Sequence, residues 1–121
     1  MRRLLYRPDR GMAPCTGLGV HPLKPDDGWC DDPSDASYNR AVTLPYCASA
    51  EALWREDALY DLIVILGHND EPVTPGAGSA IFLHPTWPDF APTEGCIALT
   101  RPDLIDLLAR AGPGDSVAIC A

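Results

Sequence analysis

The sequence of 121 residues lacks a hydrophobic run long enough to cross a membrane, and it lacks an excess of positive charge. A transmembrane helix needs about 20 consecutive apolar residues, so we expect no membrane insertion. Lysine and arginine total 9 against 17 aspartate and glutamate residues, which gives a formal net charge of −8. Because nucleic acids are bound largely through basic side chains, we expect no nucleic-acid partner.

The patterns that bind metal ions are also missing. No two cysteines form a C-x-x-C pair, so a zinc site has little support. The aspartates at residues 26–35 lack the Asp-x-Asp-x-Asp-Gly spacing of a calcium loop and are better explained as solvated or turn-capping groups. We therefore expect neither a metal nor another cofactor. These aspartates are Asp26, Asp27, Asp31, Asp32 and Asp35.

The cysteine count is odd, so at least one thiol is unpaired even if the others form disulfides. The simplest expectation is five reduced thiols. One disulfide among the first three cysteines stays open for an exported protein. The five residues are Cys15, Cys30, Cys47, Cys96 and Cys120.

Length and a hydrophobic content of 46% predict a single globular domain over residues 1–121. Residues 1–48 are rich in proline, glycine and aspartate, which predicts long loops with short extended pieces but no strong strand. Continuous apolar segments at 62–66, 79–83 and 116–120 predict strands. Together with two short helices, these elements predict a mainly β fold of the α+β class.

The two helices are predicted at residues 49–57 and after residue 100. Ser49 can cap the first helix. Thr100 and Asp103 form a Thr-x-x-Asp capping pattern for the second helix, which Gly112 and Pro113 terminate. Its apolar face follows the i, i+3, i+4, i+7 spacing and consists of Leu104, Leu107, Leu108 and Ala111.

The most informative pattern is a histidine followed twelve positions later by a cysteine. An apolar run ends on His84, and after a loop Gly95 delivers Cys96 into a second apolar run. An imidazole can take the proton of a thiol near neutral pH, and a glycine turn leaves backbone N–H groups open for an oxyanion. The pattern predicts the base and nucleophile of an acyl-transfer enzyme, with Cys96 the most reactive thiol. The alternative is a buried structural cysteine beside a structural histidine.

Other candidates carry weaker signals. His68 follows a predicted strand and is either a second base or, more simply, a loop histidine. His21 lies in a proline-rich loop and is expected to be solvated. Trp87 lies in the loop between His84 and Cys96, where it either lines a cleft or anchors the loop.

Residues 78–99 resemble the catalytic domain of L,D-transpeptidases, the YkuD-type family of bacterial cell-wall enzymes. That family has a histidine that closes a strand, a variable loop, and a [Ser/Thr]-His-Gly-Cys motif followed by an apolar residue and an arginine. His84 matches the first element, and Thr93, Gly95 and Cys96 match the second. Segments 28–33, 38–40 and 49–57 resemble a divergent branch, in which Asp31, Asp32, Tyr38, Asn39 and Arg40 brace the site.

The chain also departs from the family pattern. Glu94 replaces the motif histidine, Ala98 replaces the arginine, and the loop before Cys96 is short. The usual N-terminal Lys-x-Glu-Gly-Asp segment has no counterpart, so we expect an N-terminally truncated domain with incomplete edge strands. Met1 is then either an internal methionine of a longer protein or the start of a true truncation.

The resemblance implies cysteine-dependent acyl transfer on peptidoglycan stem peptides, for crosslinking or remodelling of the cell wall. It implies Cys96 as nucleophile, His84 as base and Gly95 in the oxyanion site, with Thr93, Trp87 and Ser79 contacting substrate. It also implies a periplasmic or cell-envelope protein, which we expect to be a monomer. No apolar stretch follows the N-terminal arginines, so no export signal is predicted and a cytoplasmic location stays open.

Two alternatives to transpeptidation remain open. A carboxypeptidase or crosslink hydrolase of the same family would differ only in the acceptor, which is water instead of an amine. A non-enzymatic remnant that binds peptide would agree with the replaced arginine and the missing N-terminal segment.

Overall fold

A computed structural model describes residues 1–86 and 96–118 of the chain. These residues form short strands, one 3-10 helix and one α-helix. In chain order they are β1 (Arg3–Tyr6), the 3-10 helix (Pro8–Arg10), β2 (Gly19–Pro22), β3 (Asp27–Cys30), β4 (Ala41–Thr43), β5 (Ala50–Ala52), β6 (Leu62–Ile65), β7 (Phe82–Pro85), β8 (Ile97–Leu99) and α1 (Arg101–Arg110).

The larger sheet has five strands in the order β2-β1-β6-β7-β8. The pairs β1–β6 and β6–β7 are antiparallel, whereas β1–β2 and β7–β8 are parallel. Strand β6 lies at the centre, and all four of its residues are buried. A continuous apolar run is what a strand needs when both of its faces are covered.

One face of this sheet packs on α1. Side chains alternate along a strand, so Leu62 and Val64 of β6 point to the same face and meet Leu104 and Leu108 of the helix. We call this the helix-side core. Its buried members are Leu4, Leu18, Leu62, Val64, Leu83, Leu104, Leu108 and Ala111.

The opposite face packs on a smaller antiparallel sheet of order β4-β3-β5. Ile63 and Ile65 point to this side, where Trp29 of β3 meets Phe82 of β7 edge to face with ring centroids 5.1 Å apart. We call this the inter-sheet core. Its buried members are Leu23, Trp29, Leu53, Tyr60, Ile63, Ile65, Ala80 and Phe82. The fold is therefore an α-helix, a mixed sheet and a second sheet in three layers.

The structure confirms the mainly β, α+β class, the strand at 62–66 and the final helix. Thr100 caps α1, because its hydroxyl accepts a hydrogen bond of 3.2 Å from the backbone N–H of Asp103. No helix among the described residues is long and apolar enough to cross a membrane.

Three predictions of local structure were wrong. Residues 49–57 are not helical, because residues 50–52 pair with β3 as strand β5. The first 48 residues do contain a strong strand, since β1 lies between β2 and β6 and Leu4 is fully buried. Residues 116–118 form no strand, and 119–120 lie outside the described residues. The predicted strand at 79–83 begins later, at Phe82.

The helix-side core predicts a sharp contrast between two aliphatic residues of α1. Leu108 is fully buried, whereas Ile105 is 39% exposed. We expect Leu108→Ala to lower the free energy of unfolding by about 2–5 kcal/mol, because the site loses apolar burial and gains a cavity. Ile105→Ala, the matched control, should cost no more than about 0.5 kcal/mol. Urea denaturation measures both, and equal losses would contradict this packing.

Candidate active site

His84 is buried in β7, in the strand next to the central strand. Its Nδ1 lies 2.6 Å from the carbonyl oxygen of Pro85. A carbonyl oxygen can only accept a hydrogen bond, so Nδ1 carries the proton of the neutral ring. The lone pair of the neutral imidazole is therefore on Nε2, and this nitrogen is the one able to act as a base.

Cys96 directly precedes β8, which runs parallel to β7. The pairs Leu83–Ile97 and His84–Ala98 put Cys96 level with Phe82. Because residues two apart share a sheet face, Cys96 and His84 lie diagonally on the same face of neighbouring strands. Cys96 packs against the inter-sheet core, and its Sγ donates a hydrogen bond of 3.1 Å to the carbonyl oxygen of Ala80.

Tyr60 lies beside His84, although no pattern in the sequence points to it. Its ring contacts the ring of His84 edge to face, with centroids 5.4 Å apart. Its hydroxyl donates a hydrogen bond to the carboxylate of Glu51. No local motif reveals such a residue, because Glu51 belongs to the smaller sheet and His84 to the larger one.

Burial favours the uncharged form of both side chains, so it shifts the pKa values of the histidine and the cysteine in opposite directions. Desolvation lowers the pKa of His84, although the hydrogen bond to Pro85 opposes this. Desolvation also raises the pKa of Cys96, and the negative charge of Glu51 adds to the increase. Near pH 7 the resting state is therefore a neutral imidazole beside a neutral thiol, not an ion pair.

Asn39 holds the carbonyl group on which the thiol rests. Its Oδ1 accepts hydrogen bonds from the indole N–H of Trp29 (3.0 Å) and the backbone N–H of Ala80 (3.3 Å). Its Nδ2 donates to the carbonyl oxygens of His68 (3.1 Å) and Asn69 (2.7 Å). All four positions of the buried amide are used, so the smaller sheet fixes the loop that leads into β7.

That loop has an unusual backbone that these bonds maintain. Ala80 has φ 58°, a left-handed conformation that costs free energy in any residue with a Cβ. Gly78 has φ 125°, and a Cβ there would lie 2.8 Å from Nε2 of His68. The hydroxyl of Tyr38 accepts a hydrogen bond from the N–H of Gly78, and Arg40 donates to the carbonyl oxygen of Asp70. Tyr38, Asn39 and Arg40, which are three of the five residues that the resemblance implied as a brace, thus hold the loop.

The remaining candidates are distributed around this loop. The hydroxyl of Ser79 donates to the carbonyl oxygen of Cys30 at 2.6 Å, and its substrate contact stays a prediction. Nε2 of His68 lies 3.0 Å from the carbonyl oxygen of Ala77, which favours the loop-histidine interpretation, and His21 is exposed as expected. The predicted contributions of Trp87, Thr93 and Gly95 lie outside the described residues.

The described residues offer neither a cluster for a metal ion nor a disulfide. Residues 1–86 and 96–118 contain no cluster of three or more histidine, cysteine or acidic side chains that could hold a metal ion. Within the same ranges, no two cysteines form a disulfide with each other, and Cys15, Cys30 and Cys47 are free thiols. Cys15 and Cys47 are exposed, and Cys30 is buried.

The fold and this arrangement define a mainly β, α+β domain in which a histidine and a cysteine share one sheet face. The model of the YkuD family, the L,D-transpeptidase catalytic domain, matches residues 1–119. The chain therefore belongs to the L,D-transpeptidase catalytic-domain family, which acts on peptidoglycan and is generally associated with the cell envelope. Neither the curated proteins nor the solved structures compared with the chain include a match.

The raised pKa of Cys96 changes the expected order of thiol reactivity. The thiolate is the nucleophile in alkylation, so a half-buried thiol with a raised pKa reacts slowly at neutral pH. We expect brief iodoacetamide treatment at pH 7 to label the exposed Cys15 and Cys47 before Cys96, in contrast to the sequence-based expectation. Peptide mass spectrometry measures the order, and fastest labelling of Cys96 would show a resting thiolate.

The lowered pKa of His84 makes stability depend on pH. The unfolded chain takes up the histidine proton first, so the stabilisation is complete above about pH 6.5 and is lost as the pH falls below it. Carboxylates with lowered pKa values, such as Asp35 and Asp57, also make stability depend on pH, but they do so at more acidic pH. We expect urea midpoints to fall from pH 7.5 to 5, with a smaller fall in His84→Gln. The control His21→Gln should behave as wild type, and an unchanged slope in His84→Gln would contradict the assignment.

Proposed function

We propose that the chain is a cysteine acyltransferase that acts on peptidoglycan stem peptides in the cell envelope, as an L,D-transpeptidase. The observation that carries this proposal is the diagonal placement of His84 and Cys96 on one face of two parallel strands. Family membership supplies the substrate class. The hydrogen bond from Nδ1 of His84 to the carbonyl oxygen of Pro85 selects the tautomer in which Nε2 is the basic atom.

The first half-reaction starts from the neutral pair. As the thiol attacks the carbonyl carbon at the L-centre of the diamino acid, its proton passes to Nε2 of His84 and a carbon–sulfur bond forms. The tetrahedral oxyanion then collapses, the bond to D-alanine breaks, and the imidazolium returns the proton to the leaving amine. A thioester on Cys96 remains. Backbone N–H groups of Gly95 and Cys96 are the proposed oxyanion donors.

The second half-reaction transfers the acyl group to an amine of a neighbouring stem peptide. His84 takes a proton from that amine, the new amide bond forms, and the thiol is regenerated. A neutral resting pair suits this scheme because the imidazole is available as a base before each proton transfer. Water as the acceptor would give the carboxypeptidase outcome with the same residues.

The proposal predicts that His84 and Cys96 act as one unit. Cys96→Ala should abolish D-alanine release from a tetrapeptide stem, and His84→Ala should lower it by about 10²–10⁴-fold, the usual contribution of general acid–base catalysis. The double variant should be no worse than Cys96→Ala alone, because coupled catalytic groups are non-additive. Release of D-alanine and acylation by a carbapenem, detected as a mass increase, measure these effects.

Two control variants complete this test. His68→Ala and Cys47→Ala should keep at least half of the wild-type activity, since neither side chain belongs to the proposed pair. Near-normal acylation of His84→Ala, combined with loss of acylation in His68→Ala, would show that His68 is the base. A folded wild-type chain that neither releases D-alanine nor is acylated would favour the non-enzymatic remnant.

A further inference from the structure

A guanidinium near His84 has no role in the proposed proton transfer. The guanidinium carbon of Arg55 lies over the ring of Tyr60, 5.4 Å from the ring centre. The imidazole of His84 contacts the same ring, and the two ring centres are 5.4 Å apart. Because both groups contact one ring, the guanidinium and the imidazole are separated by at most the sum of these distances, about 11 Å.

Arg55 is fixed at its backbone and at its side chain. Its carbonyl oxygen accepts a hydrogen bond from the buried guanidinium of Arg7, which lies over the ring of Trp54 at 3.7 Å from the ring centre. Its own guanidinium donates to the carboxylate of Asp57 through Nε (2.9 Å) and Nη2 (2.5 Å). A group held in this way loses little conformational freedom when it binds a ligand, so it is preorganised.

The other edge of this guanidinium is open. Asp57 occupies the edge formed by Nε and Nη2, whereas Nη1 of Arg55 donates to no group within residues 1–86 and 96–118. The side chain is 37% exposed, so solvent reaches it. The planar fork of a guanidinium can bind a carboxylate with two parallel hydrogen bonds. The edge formed by Nη1 and Nη2 therefore offers a place for a second carboxylate.

The surrounding charges decide what kind of ligand fits this edge. Arg55 faces the carboxylate of Asp57, which it binds, and that of Glu51, which accepts from Tyr60. These two charges offset that of Arg55, so a general excess of positive charge does not drive binding. Desolvation is the main cause of the lowered pKa of His84, but the charge of Arg55 also lowers this pKa and that of Asp57 raises it. The ion pair is thus close enough to act on the imidazole.

We propose that the open edge of Arg55 binds the terminal carboxylate of the donor stem peptide, the carboxylate of the D-alanine that leaves in the first half-reaction. Arg55 would then select stems that end in a free D-alanine. The inference deepens the proposed function and rests on it, because that reaction supplies the leaving group.

The dimensions of the substrate agree with this assignment. Only the amide nitrogen and one Cα separate the scissile carbonyl carbon from the carboxylate carbon of D-alanine, a span of about 4 Å. A hydrogen bond from the guanidinium adds about 3 Å, and the reacting groups approach the scissile carbon to about 3–3.5 Å. The total of about 10 Å fits within the limit of about 11 Å between Arg55 and His84.

The test compares two tetrapeptide stems, one ending in D-alanine and the other in D-alanine amide. We expect the wild-type kcat/KM for the free acid to be about tenfold or more higher, a difference of about 1.4 kcal/mol. Arg55→Gln should reduce this ratio to about twofold or less. Arg55→Lys keeps the charge but not the planar fork, so it should keep only part of the preference. Mass spectrometry of the released D-alanine and D-alanine amide measures the ratio.

A matched variant on α1 provides the control. Arg110 is also paired with an aspartate, at 3.4 Å from Asp106, so Arg110→Gln removes a comparable ion pair and should leave the ratio unchanged. A merely structural role of Arg55 would lower both rates together and keep their ratio, and that result would overturn the proposal. Equal wild-type rates for the two stems would overturn it as well, even if Arg55→Gln fails to fold. Melting temperatures identify the folded variants.

Binding to Cys96→Ala separates this inference from the proposed function, because this variant cannot be acylated. Its dissociation constants for the two stems, measured by calorimetry, should differ in favour of the free acid, and Arg55→Gln in the same background should remove the difference. Selective binding combined with a wild type that is never acylated would refute the acyltransferase and keep the carboxylate site. Release of D-alanine and D-alanine amide at equal rates would refute the carboxylate site alone.

Discussion

The burial of β6 on both faces is the constraint on which the rest of the structure depends. Four consecutive apolar residues with no exposed face require one layer above the sheet and another below it. Leu62 and Val64 are covered by α1, and Ile63 and Ile65 are covered by the smaller sheet. The second covering layer carries Glu51, which accepts a hydrogen bond from Tyr60, and its strand β3 is followed in the chain by Asn39, which binds the loop that leads into β7. The same packing that stabilises the domain thus assembles the site.

The elements predicted correctly are those whose signal is local. Strand β6 is a continuous apolar run, and α1 has a capping residue at one end and glycine with proline at the other. Strand β1 was missed because its four residues are flanked by arginines and pair on both sides with segments far away in sequence. Residues 50–52 were assigned to a helix because alanine and glutamate favour helices, but pairing with β3 outweighs that preference.

The site divides along the same line. His84 and Cys96 could be proposed from the sequence because both belong to short local motifs. His84 ends an apolar run, and Cys96 follows a glycine after a loop. Their resting protonation could not, since it follows from burial and from a carboxylate on another sheet. Tyr60 was missed for the same reason, because only the folded chain brings its hydroxyl to Glu51 and its ring to His84. The brace residue Asn39 was found through resemblance, but its four hydrogen bonds are a property of the fold.

The function of Asn39 depends on the amino group of its side-chain amide. Aspartate has nearly the same shape and could still accept from Trp29 and Ala80. It could not donate to the carbonyl oxygens of His68 and Asn69, and its charge would face both of them in a buried setting. Spontaneous deamidation of this one side chain would therefore release the loop whose carbonyl holds the thiol. Slow chemical ageing at a brace, with no damage to the cysteine or the histidine, would be enough to disable the site.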